Sequence, residues 1–124
     1  MRAILTLLLL NLATQAWAGL VRMVVTEDDD VVYLDPATTR KVGDLRRFRV
    51  IQDLKKKGPK GEMSRRVFWE YDCLEAKYRG LSIALYSGPL GSGQVLESVN
   101  TPSSWINVAP ETVDATILKT VCAP

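Results

Sequence analysis

Residues 63–73 read "MSRRVFWEYDC", and their pattern decides the fold. In an extended chain Val67, Trp69, Tyr71 and Cys73 fall on one side, and Arg66, Phe68, Glu70 and Asp72 on the other. Period-two alternation of this kind predicts a strand with one buried face, ending in a cysteine. Immediately upstream, "LRRFRVIQDL" (45–54) repeats the pattern, with Phe48, Val50, Gln52 and Leu54 opposite Arg47, Arg49, Ile51 and Asp53. The eight residues between the two runs, "KKKGPKGE", hold the breakers Gly58, Pro59 and Gly61, so the two strands form a hairpin.

Working outward, "LVRMVVT" (20–26) and "VVYLD" (31–35) read as a further hairpin around the acidic run Glu27 to Asp30, the second strand stopping at Asp35-Pro36. That acidic run lacks the alternating ligands, central glycine and distal glutamate of an EF-hand, and a solvated turn is expected. Downstream, "LEAKYRGLSIALYS" (74–87) predicts a strand with Tyr78, Ser82, Ala84 and Tyr86 on one side and Leu81, Ile83 and Leu85 on the other. "GPLGSG" (88–93) is a glycine-rich turn and "QVLESV" (94–99) the next strand. Successive hairpins make an antiparallel meander.

After the turn-rich "NTPSSWINVAP" (100–110), Pro110-Glu111 opens an expected helix with Val113, Ile117, Leu118 and Val121 as its apolar stripe. The fold class is therefore α+β: an antiparallel sheet of about five or six strands packed by a C-terminal helix.

The first residues set the compartment. "MRAILTLLLLNLATQAWA" places Arg2 before an apolar run and ends in the small-x-small triplet Ala16-Trp17-Ala18, the form of a secretory signal peptide cleaved after residue 18. The run is too short and too interrupted for a membrane span of about 20 apolar residues. The expected organisation is a signal peptide over 1–18 and one domain over 19–124, exported to the periplasm, the medium or the cell surface. No cysteine stands at the cleavage site to carry a lipid, so no lipid anchor is expected, and no integral membrane segment after cleavage.

Cys73 and Cys122 are the only cysteines, and in an exported chain an even count predicts a disulfide, two buried free thiols being the alternative. Losing Arg2 with the signal changes 16 basic against 14 acidic residues to 15 against 14, a net of +1. So near-neutral a domain lacks the strongly basic character of a nucleic-acid binder.

Histidine is absent, which removes the commonest general base, the histidine-dependent nucleophile pairs and the commonest zinc ligand. The frame of "GPLGSG" is neither a Walker loop nor a nucleophile elbow. Glu70 and Asp72 share a strand face as a glycosidase pair would, but basic neighbours make cross-strand ion pairs the simpler expectation. The reading is a protein that is not an enzyme, with no cofactor, no metal and no catalytic residues.

What is left is charge. Lys55, Lys56, Lys57 and Lys60, with Arg65 and Arg66 just beyond, form a basic loop that could bind an acidic protein surface, an anionic (sulfated) glycan or anionic lipid headgroups; a solvated hairpin tip is the plain alternative. Trp69 and Trp105 are expected in the core. An exposed sheet edge leaves a dimer open.

Three stretches carry a family resemblance: residues 33–55, "YLDPATTRKVGDLRRFRVIQDLK"; 64–96, "SRRVFWEYDCLEAKYRGLSIALYSGPLGSGQVL"; and 105–122, "WINVAPETVDATILKTVC". Tyr33 to Pro36, Asp72-Cys73, Tyr86-Ser87-Gly88, Trp105 to Thr112 and Cys122 resemble the motifs of the surface-adhesin protein E family of Gram-negative bacteria. The resemblance implies a small antiparallel sheet and a terminal helix tied by the disulfide. It also implies an envelope-associated protein whose best-known member binds host matrix and plasma proteins. That member resembles a lipoprotein, and this chain lacks the signal-peptide cysteine. The matching motifs are fold residues, none of them a binding site. The function expected is an exported binding module, adhesin-like, acting through its hairpin loops; the alternative is a periplasmic structural or assembly protein of the envelope.

Overall fold

The computed structural model describes residues 19–124, and the signal peptide read over 1–18 lies outside them. Strands β1 (Val21–Val25), β2 (Val31–Val42), β3 (Leu45–Asp53), β4 (Ser64–Asp72), β5 (Lys77–Tyr86) and β6 (Val95–Val99) follow one another across a single antiparallel sheet. A two-residue β7 (Ile106–Asn107) pairs with the start of β5, and helix α1 (Val113–Cys122) ends the chain. Strand order equals chain order, as the run of hairpin signals predicts.

One face of the sheet and the apolar stripe of α1 make the core. Phe48 and Val50 from β3, Val67 and Tyr71 from β4, and Val32 from β2 pack with Ile117 and Val121 of the helix; Val113, Leu118 and Trp69 close in around them. Tyr71 lies between Phe48, at 5.3 Å between ring centroids, and the stacked ring of Tyr78, at 5.2 Å. Cys73 and Cys122 form the expected disulfide, with Cα atoms 5.7 Å apart. The helix therefore reaches the sheet at both ends: by its first turn, where Asp114 meets Tyr71 and Tyr78, and by Cys122 at its last residue.

Three elements depart from the sequence reading. Strand β2 does not stop at Asp35-Pro36 but continues to Val42. Between Asp35 and Arg40 its register against β3 slips, and β1 pairs only with Val31 to Leu34, so Pro36 stands where no ladder donor is required. The hydroxyl of Thr38 donates to Asp35 O at 2.6 Å and accepts from Arg49 N at 2.9 Å, carrying the pairing across the slip.

Strand β5 changes face midway. Phe68 pairs with Ser82 but Trp69 with Gly80, so Leu81 is the extra residue of a bulge. Tyr78 and Ile83, read on opposite sides from strict alternation, thus both pack on the core. The helix starts later than Pro110-Glu111: Thr112 is its N-cap, its hydroxyl oxygen accepting from Ala115 N at 3.2 Å and donating to Ala109 O at 2.7 Å.

Candidate functional site

In a six-strand meander the turns alternate between the two ends of the sheet. The β1–β2 turn (26–30), the β3–β4 loop (54–63) and the β5–β6 turn (87–94) share one end, and side chains join them. Asp30 accepts from Lys55 N at 2.9 Å, and Gln52 Nε2 donates to its second oxygen at 3.3 Å. Asp53 accepts from Leu90 N at 2.9 Å. The hydroxyl of Ser64 donates to Gly88 O at 2.7 Å and accepts from Gly91 N at 2.8 Å. Polar side chains on the strand ends thus hold the three loops as one rim.

The lysine loop is built around Glu62, which is buried although it lies among cations. Its carboxylate accepts from Lys60 N at 2.9 Å and faces Arg65 Nε at 3.5 Å. Burial alone would push its pKa up; the Lys60 backbone N–H, its own backbone N–H and the Arg65 guanidinium outweigh that and hold it below the usual glutamate value. A Cβ on residue 58 would run into this carboxylate, so any larger residue there must push Glu62 out of its present position.

The structure divides the basic residues singled out from the sequence. Lys55, Lys56 and Lys57 are exposed in the loop and, among the described residues, form no ion pair. Lys60 is held by Glu97 of β6 at 2.5 Å. Arg65 and Arg66 point to opposite faces of β4: Arg65 turns to Glu62, and Arg66 lies on the far side, 5.1 Å over the Tyr86 ring. Asp28, Asp29 and Asp30 border the same 430 Å³ hollow as Lys55, Lys56 and Arg65. The rim therefore presents cations and anions side by side, a juxtaposition the sequence hides because 25 residues separate Asp30 from Lys55.

The structure gives the two carboxylates weighed from the sequence different surroundings. Glu70 is fully buried, its two oxygens engaged by Arg47 Nε at 2.6 Å and Arg79 Nε at 2.9 Å. Asp72 instead accepts from Leu74 N and Glu75 N, both at 3.0 Å, and shapes the β4–β5 turn. Trp69 packs against the core as expected, whereas Trp105 lies outside the core cluster, with Arg79 4.6 Å and Lys77 5.1 Å from its ring centre. A larger open groove of 680 Å³ runs between α1 and β1, bordered by Glu27, Asp28, Glu111 and Lys119.

The family model for surface-adhesin protein E matches residues 20–123, nearly all of the described chain. The chain belongs to the surface-adhesin protein E family. Among solved structures, a second crystal form of Haemophilus influenzae protein E is 18% identical with a TM-score of 0.69, the match covering 89% of this chain and 91% of that one. The selenomethionine form of the same organism's protein is 17% identical at 0.68, over 89% and 90% of the two chains. Protein E from non-typeable H. influenzae is 17% identical at 0.66, over 89% and 79%. At such identities the likeness speaks for the shared fold alone, and this surface-adhesin protein E domain has the same meander and helix. No curated protein matches the sequence. Among the described residues, no helix is long and apolar enough to cross a membrane.

Proposed function

We propose that this member of the surface-adhesin protein E family is an exported, non-enzymatic binding module that recognises a protein or polyanion through the three-loop rim of its sheet. The observation that carries the reading is the exposed, unpaired set Lys55, Lys56 and Lys57, held on a loop whose backbone is tied down by half-buried Asp30 and buried Glu62. A preformed loop spends little ordering entropy on binding, and its free cations steer an acidic partner. Export rests on the secretory form of residues 1–18, and the family's adhesin character supports action at the cell surface.

The test is binding of the mature domain to immobilised heparin and to extracellular-matrix proteins at physiological salt, beside the Lys55→Ala/Lys56→Ala/Lys57→Ala variant. Binding that weakens with salt and falls several-fold in the variant supports the reading. Absence of binding by the intact protein, or equal binding by the variant, removes the rim from consideration. Protease digestion on intact compared with lysed cells places the module outside or inside the outer membrane.

A second reading, a periplasmic assembly protein, is favoured by the edge strand β6, where Val95, Leu96 and Val99 are all exposed. Under that reading, pull-down from periplasm returns one stoichiometric envelope partner, and Leu96→Lys abolishes its recovery.

A further inference from the structure

The sheet face turned away from α1 carries more cationic groups than its acids pair. In register across β3, β4 and β5, the row Arg47–Glu70–Arg79 spends its acid on two guanidinium groups. The next row is Asp35–Arg49–Phe68–Ser82, in which Asp35 of β2 stands opposite Arg49 without forming an ion pair, and the one after it Ile51–Arg66–Ala84–Ser98, reaching β6. Arg49 and Arg66 border one shallow hollow of 180 Å³ together with Phe68, Ser82, Ser98 and Asn100.

Neither guanidinium group has an ion-pair or hydrogen-bond partner among the described residues, and the Nε atoms of both are buried without an acceptor. A buried N–H left without an acceptor costs stability unless something else supplies one. Arg66 is held in place by the Tyr86 ring and by the approach of Gly91, where an added Cβ would come 3.2 Å from its Nη2. Two guanidinium groups, that of Arg66 held in place, thus border the hollow with two hydroxyls, a side-chain amide and the apolar Phe68 and Ala84.

We propose that this hollow is an oxyanion site, separate from the rim, that takes a sulfate or phosphate group. A tetrahedral oxyanion has enough acceptor oxygens for both guanidinium groups and for the Ser82 and Ser98 hydroxyls, and charge-assisted bonds of this type are the strong ones. Such a group arrives as the free ion or as an ester on a sugar, and the Phe68 ring offers a sugar a stacking surface.

The experiment is a titration followed by backbone and arginine Nε–H resonances in two-dimensional nitrogen–proton NMR. The probes are inorganic phosphate, N-acetylglucosamine 6-sulfate and unsulfated N-acetylglucosamine, at constant ionic strength. The expected result is saturable shifts at Ser82, Ala84, Ser98, Asn100 and the Nε–H groups of Arg49 and Arg66 with both anionic probes and none with the neutral sugar. Equal affinity for the two anions assigns the site to the free ion; tighter binding of the sulfated sugar assigns it to the ester.

Arg49→Gln/Arg66→Gln is expected to weaken binding at least about tenfold. Ser98→Asp, on an exposed position, should do the same by repulsion without touching the core. Lys55→Ala/Lys56→Ala/Lys57→Ala should leave it unchanged, so failure of the rim reading and failure of this one are separable. Shifts confined to the lysine loop, or affinity retained in Ser98→Asp, overturn the proposal.

Discussion

Single residues show how charge is handled in so small a domain. Glu70 is fully buried between Arg47 and Arg79, whose side chains keep 42% and 31% of their exposure. Replacing the carboxylate leaves two neighbouring guanidinium groups without a counter-charge. Glu70→Gln is expected to lower stability by about 3 kcal/mol, the low end for a broken buried pair because solvent reaches both partners. Urea unfolding at pH 7 measures this, with Arg47→Gln and Arg79→Gln as companion variants.

Asp114 receives both tyrosine hydroxyls, from Tyr78 at 2.8 Å and from Tyr71 at 3.5 Å. Burial first, then the Asp114 carboxylate, push Tyr78 up from 10.0 to about 12 and Tyr71 higher still. A tyrosine whose pKa rises on folding stabilises the fold fully below pH 10, and that contribution is lost as pH climbs from 10 through about 12. Absorbance at 295 nm with parallel circular dichroism should show these two rings ionising together with loss of the helix. In Asp114→Asn the Tyr78 midpoint should move down toward 10.

Elements differ in how far their residues announce them. The buried faces of β3 and β4 follow from alternation alone, because both strands pair on each side and run without interruption from Ser64 to Asp72 and from Leu45 to Asp53. The bulge at Leu81 is invisible to a period-two reading, since one inserted residue leaves local composition unchanged while turning every later side chain over. The continuation of β2 past Pro36 was hidden because proline forbids only a ladder donor, and Thr38 supplies the pairing from its side chain. The helix stripe was legible and its start was not: Glu111 takes a positive φ of 62°, and the cap falls on Thr112. Thr112→Ala should cost about 1 kcal/mol, read from thermal unfolding, while Pro110→Ala should cost less because Pro110 stands outside the helix. The rim was the least legible part of the candidate site, its partners being chosen by the meander rather than by sequence neighbours.

At the scale of the whole molecule, the core is one layer of side chains between a sheet and a ten-residue helix, and the disulfide carries a correspondingly large share of stability. Cys73 and Cys122 are 49 residues apart, and chain-entropy arguments give the bridge about 4 kcal/mol. Cys73→Ser/Cys122→Ser should lower the denaturation midpoint accordingly, and dithiothreitol should bring the native protein to the same value. A midpoint shift well below that would mean that the tyrosine–aspartate contacts hold the helix without help.

The alternation of turns has a further consequence for how such a domain can diversify. The covalent clamp at Cys73 sits on the β4–β5 turn, one of those at the opposite end of the sheet from the three loops. Loop residues can be exchanged without disturbing the clamp, and the clamp can be opened without cutting the bonds that tie the loops together. The fold keeps its covalent fastening and its loop-to-loop hydrogen bonds at opposite ends, so a substitution made at one end probes that end alone.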